Sequence, residues 1–227
     1  MYYIRMSHFI MNDNDYEERL KEIKVRKKRL SSLKSKIWKT SAVKEEIKLL
    51  EEDIEGAEEA CHKYSEDKIR REKEALATIS VFNFKVSGIS FRKTEVNKAI
   101  RYIDENSYWD KYDGLTNKEI EEYGKTYKYQ NFDTTNFDLI PEPSNEFDSN
   151  AIKVLVNDHH IGYVPKETAK ELLPSLLNDD ISIKGRVTII GGPYKEFDYL
   201  EDKVVTTKSD FGFKVYCVLL DNKILNE

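Results

Sequence analysis

The spacing of apolar residues along this chain changes from a helical to a β-strand pattern close to Ala75. Before that point, apolar side chains recur every three or four residues in two successive runs. Beyond it, the run ATISVFNFKVSGISF mixes β-branched and aromatic residues and contains a single glycine, Gly88. We therefore predict two parts, a helical arm over residues 1–77 and a β-rich domain over residues 78–227.

The arm carries opposite charges at its two ends. Residues 19–39 contain ten Lys or Arg and one acid, whereas residues 45–59 contain eight Asp or Glu and one base. The helical phase breaks between Ile37 and Val43, where we expect a turn or a stutter. A helical hairpin with the basic helix on the acidic one would neutralise this pattern, and so would an intermolecular coiled coil that pairs unlike halves.

The overall charge and hydropathy restrict the possible partners. The formal net charge is -5, so the chain is not one that coats duplex DNA by bulk electrostatics, and any nucleic-acid contact must be local. The basic run at residues 26–29 is more typical of a solvated helix face, with a nucleic-acid patch as the alternative. No segment approaches the roughly 18 consecutive apolar residues of a membrane span, and the N-terminus is too polar for a signal peptide. We expect a cytoplasmic protein with no membrane partner.

The β-rich part contains a helical interruption. Residues 93–129 return to a polar, helical pattern, and Thr116 with Glu119 predicts a capping box at the start of one helix. The aromatic residues of this insertion either pack against the strands or form a stacking surface for bases. Strands then resume, with a tight hairpin turn at residues 157–158 and a short helix over KETAKELLPSLL. The predicted fold class is α+β.

No combination of residues typical of catalysis or metal binding stands out. The turn at residues 191–193 lacks the Lys-Ser/Thr of a phosphate-binding loop. Cys61 and Cys217 have no paired ligands at zinc-site spacing. Because His159 and His160 are neighbours, their side chains point in opposite directions and cannot converge on one metal ion. We expect no cofactor, no metal site and no enzymatic activity; a divergent hydrolase is the alternative.

Two motifs, in this order and at compatible spacing, resemble the HIRAN family. NEFDSNAIKV, which begins at Asn145, matches N-x-[YF]-D-x-N-A-I-x-V, and GYVPKETA, which begins at Gly162, matches G-Y-V-P-[KR]-E-x-A. The resemblance covers residues 82 to about 218, with the insertion at 93–129 set aside. It implies a small OB-like β-barrel that, in the fork-remodelling helicases carrying it, captures the 3′-hydroxyl end of single-stranded DNA.

The chemistry of the motif residues suits that function. The Asp148 carboxylate can accept a hydrogen bond from a 3′-hydroxyl but would repel a 3′-phosphate. Phe147 can stack on a base of any identity. The resemblance implies phosphate contacts for Asn145 and Lys166 and a further contact for Tyr163. Asn145 and Asp148 also have a structural interpretation, since both residue types form turns.

The first strand departs from the family pattern. End-binding members place a basic residue before an aromatic there, whereas this chain has Phe84 followed by Lys85. We include both residues in the candidate nucleic-acid site. Because side chains alternate along a strand, however, Phe84 and Lys85 cannot both face one groove.

These observations favour a non-catalytic adaptor that recognises single-stranded DNA at its 3′-hydroxyl end. The arm would then mediate self-association or provide a docking surface for a protein partner. The aromatic insertion could provide a second contact. The alternative is a scaffold or inhibitor that has the barrel without end binding. An excess of acids favours this alternative, since residues 79–227 contain 25 Asp or Glu and 19 Lys or Arg.

Overall fold

The computed structural model describes residues 11–36 and 40–227. Its contacts divide the chain into two units, one ending at Ala75 and one beginning at Leu76. The α-helices in the described residues are α1 (Asp13–Lys34), α2 (Ser41–Ala77), α3 (Lys93–Glu105), α4 (Asn117–Tyr123), α5 (Lys166–Leu176) and α6 (Asn222–Asn226). Short 3₁₀ turns lie at Ile89–Arg92 and Lys111–Gly114. No helix of this described part is long and apolar enough to cross a membrane.

The strands of the described residues all belong to the second unit. They are β1 (Thr78–Lys85), β2 (Thr126–Tyr127), β3 (Asp133–Thr134), β4 (Phe137–Pro141), β5 (Ile152–Val156), β6 (His159–Tyr163), β7 (Ile181–Gly191), β8 (Tyr194–Asp198), β9 (Lys203–Thr207) and β10 (Phe211–Asp221). The mixed helix and sheet class predicted from the sequence is confirmed.

In the first unit, α1 packs antiparallel against α2 as a hairpin. Its apolar seam consists of Ile23, Ile54, Ala57 and Cys61, all buried. Ion pairs join the basic helix to the acidic one: Arg26–Asp53, Lys27–Glu58, Arg29–Glu46 and Lys34–Glu51. Of the two arrangements that would neutralise the charge pattern, this structure has the hairpin. The break predicted between Ile37 and Val43 falls in part on residues 37–39, which lie outside the described residues.

Gly56 lies in the middle of α2, and a Cβ added there would meet no atom within 4 Å. Because glycine costs a helix interior about 0.5–1 kcal/mol relative to alanine, Gly56→Ala should stabilise the hairpin by that amount. Denaturant unfolding followed by helical circular dichroism measures the change. The reverse substitution four residues on, Ala60→Gly, should destabilise it. Destabilisation by Gly56→Ala would instead indicate another helix packed on this face, as in a coiled coil between chains.

The strands lie in three antiparallel sheets, and these sheets do not close into a barrel within the described residues. Their strand orders are β1-β10-β7-β3, β2-β8-β9 and β4-β5-β6. An isolated bridge between Ser87 and Tyr163 joins the chain just after β1 to β6. The ladder stops there because the next residue, Gly88, has a left-handed φ of 76° and turns the chain into a 3₁₀ turn. These sheets therefore do not show the small OB-like β-barrel that the resemblance implies.

The core of the second unit lies where α3, α5 and the sheets meet. Val96, Ile100 and Ile103 are buried on one face of α3, in agreement with the helical pattern of residues 93–129. The Thr116 capping box is also confirmed, since its hydroxyl accepts a hydrogen bond from the Glu119 amide while the Glu119 carboxylate accepts from the Thr116 amide. Residues 157–158 both have positive φ and form the predicted hairpin turn. These elements hold the β4–β5 connection and β6 in place for the site described below.

Candidate nucleic-acid site

An open pocket of about 600 Å³ lies in the second unit, beside the bridge between Ser87 and Tyr163. Three segments form it: the turn after β1, the connection between β4 and β5, and the junction of β6 with α5. It is lined by Gly88, Phe91, Arg92, Asn145, Phe147, Asp148, Ala151, Tyr163, Val164, Lys166 and Ala169. The pocket is thus built from segments that lie far apart in the sequence.

Five of the seven residues proposed from the sequence line this one pocket: Asn145, Phe147, Asp148, Tyr163 and Lys166. The other two do not. Phe84 is only 7% exposed and belongs to the core, while Lys85 is exposed but does not line the pocket. This separation follows from the alternation of side chains along β1. The function of all seven in nucleic-acid binding stays a prediction.

Sequence reasoning missed six residues of this pocket, of which Phe91 and Arg92 have side chains suited to stacking or to phosphate contact. Both lie in the 3₁₀ turn that follows Gly88. Phe91 is 88% exposed and Phe147 is 92% exposed, so two solvent-facing phenyl rings from different segments border the same pocket. A usable signal was present, because Phe91 is followed by two basic residues and stands three residues after Gly88.

The β4–β5 connection is held by its own side chains. The Asn145 Oδ1 atom accepts hydrogen bonds from the amides of Phe147 (3.0 Å) and Asp148 (3.2 Å). The Asp148 Oδ1 atom accepts one from the Asn150 amide at 2.9 Å. The structural interpretation of Asn145 and Asp148 as turn-formers is therefore confirmed. The second carboxylate oxygen of Asp148 has no hydrogen-bond partner among the described residues, so it can accept one from a ligand.

Glu142 collects three donors behind this connection. Its Oε2 atom accepts from Asn145 Nδ2 at 2.7 Å and from the Tyr163 hydroxyl at 2.9 Å. Its Oε1 atom pairs with Lys153 Nζ at 2.5 Å. Lys153, and then the Asn145 and Tyr163 donors, lower the pKa of the Glu142 carboxyl to about 2. The group therefore carries its full negative charge at neutral pH.

Two cations of the pocket have no acidic partner in the described part of the chain. The Arg92 guanidinium lies over the Tyr163 ring, 5.0 Å from its centroid. Its Nε is 3.3 Å from Nε2 of His160, and burial together with this positive charge lowers the pKa of that imidazole. Neutral His160 therefore leaves the guanidinium charge uncompensated. Lys166, at the start of α5, is exposed. Both cations can meet a phosphate.

Much of this pocket lies in a segment that matches a known protein family. A family model described as the HIRAN domain matches residues 122–207. The chain carries a HIRAN domain. The HIRAN domain is a known module for binding single-stranded DNA and its 3′ end. No curated protein and no solved structure matches the chain.

The matched segment contains only part of the pocket of this HIRAN domain. The β4–β5 connection, Tyr163 and Lys166 fall inside residues 122–207, whereas Gly88, Phe91 and Arg92 fall outside. The strands β1 and β10 also lie outside the match, although they share one sheet with β7. In this chain the pocket is therefore completed by residues that precede the matched segment.

Proposed function

We propose that the HIRAN domain of this chain binds single-stranded DNA at its 3′-hydroxyl end and that the chain acts as a non-catalytic adaptor. One observation carries this proposal: the pocket combines two exposed phenyl rings, two cations and a carboxylate oxygen. Within residues 11–36 and 40–227, the cations have no acidic partner and the oxygen has no hydrogen-bond donor. Each group suits a different part of a terminal nucleotide.

The phenyl rings suit the base. Phe91 and Phe147 can stack on any base, because every base has a π-face, and such stacking contributes about 1–3 kcal/mol per base. Arg92 and Lys166 suit the phosphodiester oxygens, which position a strand without reading its sequence. Asp148 suits the terminal hydroxyl. These assignments predict binding that depends on the end of the strand and little on its sequence.

Fluorescence anisotropy with a 5′-labelled strand of about ten nucleotides tests the proposal. The strand is prepared with a 3′-hydroxyl and with a 3′-phosphate, and a circular strand without ends competes in a third arm. We expect the hydroxyl strand to bind about tenfold more tightly than the phosphate strand. The circle should compete poorly. Equal binding of all three strands would contradict end recognition.

Asp148→Asn should weaken binding of the hydroxyl strand by about tenfold or more, since hydrogen bonds to charged groups contribute about 1.5–3 kcal/mol. The amide oxygen of the variant can still accept from the Asn150 amide, so the turn is retained. Asp138→Asn is the matched control, because Asp138 is exposed on β4 and does not line the pocket. The same anisotropy titration measures both. A similar loss in the two variants would mean that net charge, and not Asp148, determines affinity.

The scaffold or inhibitor remains the alternative function. Ile79 and Val81 lie on the edge strand β1 and are 50% and 53% exposed, and an exposed edge strand can pair with another chain. In this alternative the folded native protein binds none of the three strands. For the adaptor, we propose that the helical arm provides the second contact, either self-association or a docking surface for a protein partner.

A further inference from the structure

Glu142 lies behind the pocket wall and does not line the pocket. It follows β4 directly, and its side chain is 21% exposed. Its backbone is fixed at both ends, because its amide donates to the Ala151 carbonyl at 2.7 Å and its carbonyl accepts from the Asn145 amide at 3.0 Å. The carboxylate therefore has a defined position relative to the two pocket residues that it contacts.

The contacts of Glu142 determine what Tyr163 and Asn145 present to a ligand. A phenol has one proton, and the Tyr163 hydroxyl donates it to Glu142. The hydroxyl can therefore act toward other groups only as an acceptor, and it accepts from Asn145 Nδ2 at 3.4 Å. Asn145 likewise directs an amide N–H to Glu142, while its oxygen is occupied by two backbone amides. Two neutral donors that could hold a phosphate are thus directed away from it.

We propose that Glu142 is a positioning residue that sets the preference of this pocket for a free 3′-hydroxyl over a 3′-phosphate, an inference that rests on the proposed function. With Tyr163 held as an acceptor and the Asp148 carboxylate lining the same pocket, the polar wall favours a ligand group that donates a hydrogen bond. A terminal phosphate has no such donor when ionised and meets negative charge there. Glu142 acts through Asn145 and Tyr163 and not by touching the ligand.

The Glu142 carboxylate stays ionised because each neighbouring element supplies it with a hydrogen-bond donor or a cation. Lys153 on β5 supplies a cation, Tyr163 on β6 supplies a hydroxyl donor, and the β4–β5 connection supplies the Asn145 amide. These donors lower the pKa of the carboxyl to about 2, so it stays ionised at any pH well above that value. The arrangement of acceptors should therefore persist under all ordinary assay conditions.

The test compares Glu142→Gln with Glu146→Gln, which makes the same change in the same connection at an exposed residue outside the pocket. The measured quantity is the ratio of dissociation constants for the 3′-phosphate and 3′-hydroxyl strands. A glutamine amide keeps only one acceptor oxygen, and the Lys153 cation attracts that oxygen. Its NH₂ group then faces Tyr163 and Asn145, which are freed to donate to a phosphate. We expect the ratio to fall about tenfold in Glu142→Gln and to stay unchanged in Glu146→Gln.

The possible outcomes separate this inference from the proposed function. Native protein that binds neither strand refutes the proposed function and this inference with it. A native preference that persists in folded Glu142→Gln overturns the inference alone. An NMR titration of the Glu142 carboxyl carbon in the native protein tests the positioning contacts without any variant. We expect the carboxyl to stay ionised well below pH 4.5, the ordinary glutamate value; titration at that value overturns the inference.

Discussion

Replacing both Phe91 and Phe147 with alanine should reduce the affinity for single-stranded DNA by at least about 30-fold. Stacking on an aromatic side chain contributes about 1–3 kcal/mol per base, so removal of two rings should cost about 2 kcal/mol or more. Both rings are almost fully exposed in the free protein, and the folded state therefore loses little packing when they are removed. Anisotropy with the 3′-hydroxyl strand measures the loss, and denaturant unfolding confirms that the variant folds.

The control for this double variant is Tyr108→Ala. Tyr108 has a relative exposure of 103% and lies outside the pocket. Its substitution therefore removes an exposed ring without changing the candidate site. Unchanged binding in Tyr108→Ala, with strong loss in the double variant, would assign stacking to the pocket. Equal losses would instead implicate the aromatic insertion as a stacking surface. No loss in the double variant would refute the assignment of Phe91 and Phe147.

Gly162→Ala should destabilise the second unit by about 3 kcal/mol and abolish binding. An added Cβ would lie 2.3 Å from the Ser87 carbonyl oxygen and 2.6 Å from Cγ1 of Val86, both too close for any real contact. The strands cannot separate cheaply, because Ser87 and Tyr163 exchange two backbone hydrogen bonds of 2.8 and 2.9 Å. Overpacking typically costs 1–3 kcal/mol, and the lost hydrogen bonds add to that cost.

Denaturant unfolding of the Gly162→Ala variant, followed by tyrosine and tryptophan fluorescence, measures this effect. Gly56→Ala is the control, because no atom lies within 4 Å of the added methyl group. It should show that glycine-to-alanine substitution does not by itself destabilise the protein. Binding should fail because Tyr163 lines the pocket and Gly88 follows Ser87 in its wall. A variant of native stability would mean that β6 and the chain after β1 are further apart than described.

The sequence could predict five pocket residues because they lie in two continuous motifs. From Asn145 to Asp148 the spacing alone brings the side chains together in one turn, and Tyr163 and Lys166 are only three residues apart. Phe91 could not be found by the same reasoning. The alternation that orients side chains along β1 ends at Gly88, whose positive φ changes the direction of the chain. Beyond that residue, strand periodicity no longer says which side chains face the pocket.

The helices and strands could be predicted from the sequence more fully than the way in which they pack. Helical spacing predicted both helices of the arm but left hairpin and coiled coil open, because the same charges attract within one chain and between two. Ion pairs such as Arg29–Glu46 decide for the hairpin here. The resemblance implied strands but not how they are grouped. Only the structure shows three separate sheets, with an isolated bridge between Ser87 and Tyr163.

The position of β7 between β10 and β3 determines which piece of this chain could be transplanted as a module. A graft of residues 122–207 would take β7 with β3 but without β10, and its long free edge would be ready to pair with other chains. It would also lack Gly88, Phe91 and Arg92, three of the eleven residues that line the pocket. A graft that begins at Leu76 and continues through β10 takes every strand of that sheet together with Phe91 and Arg92.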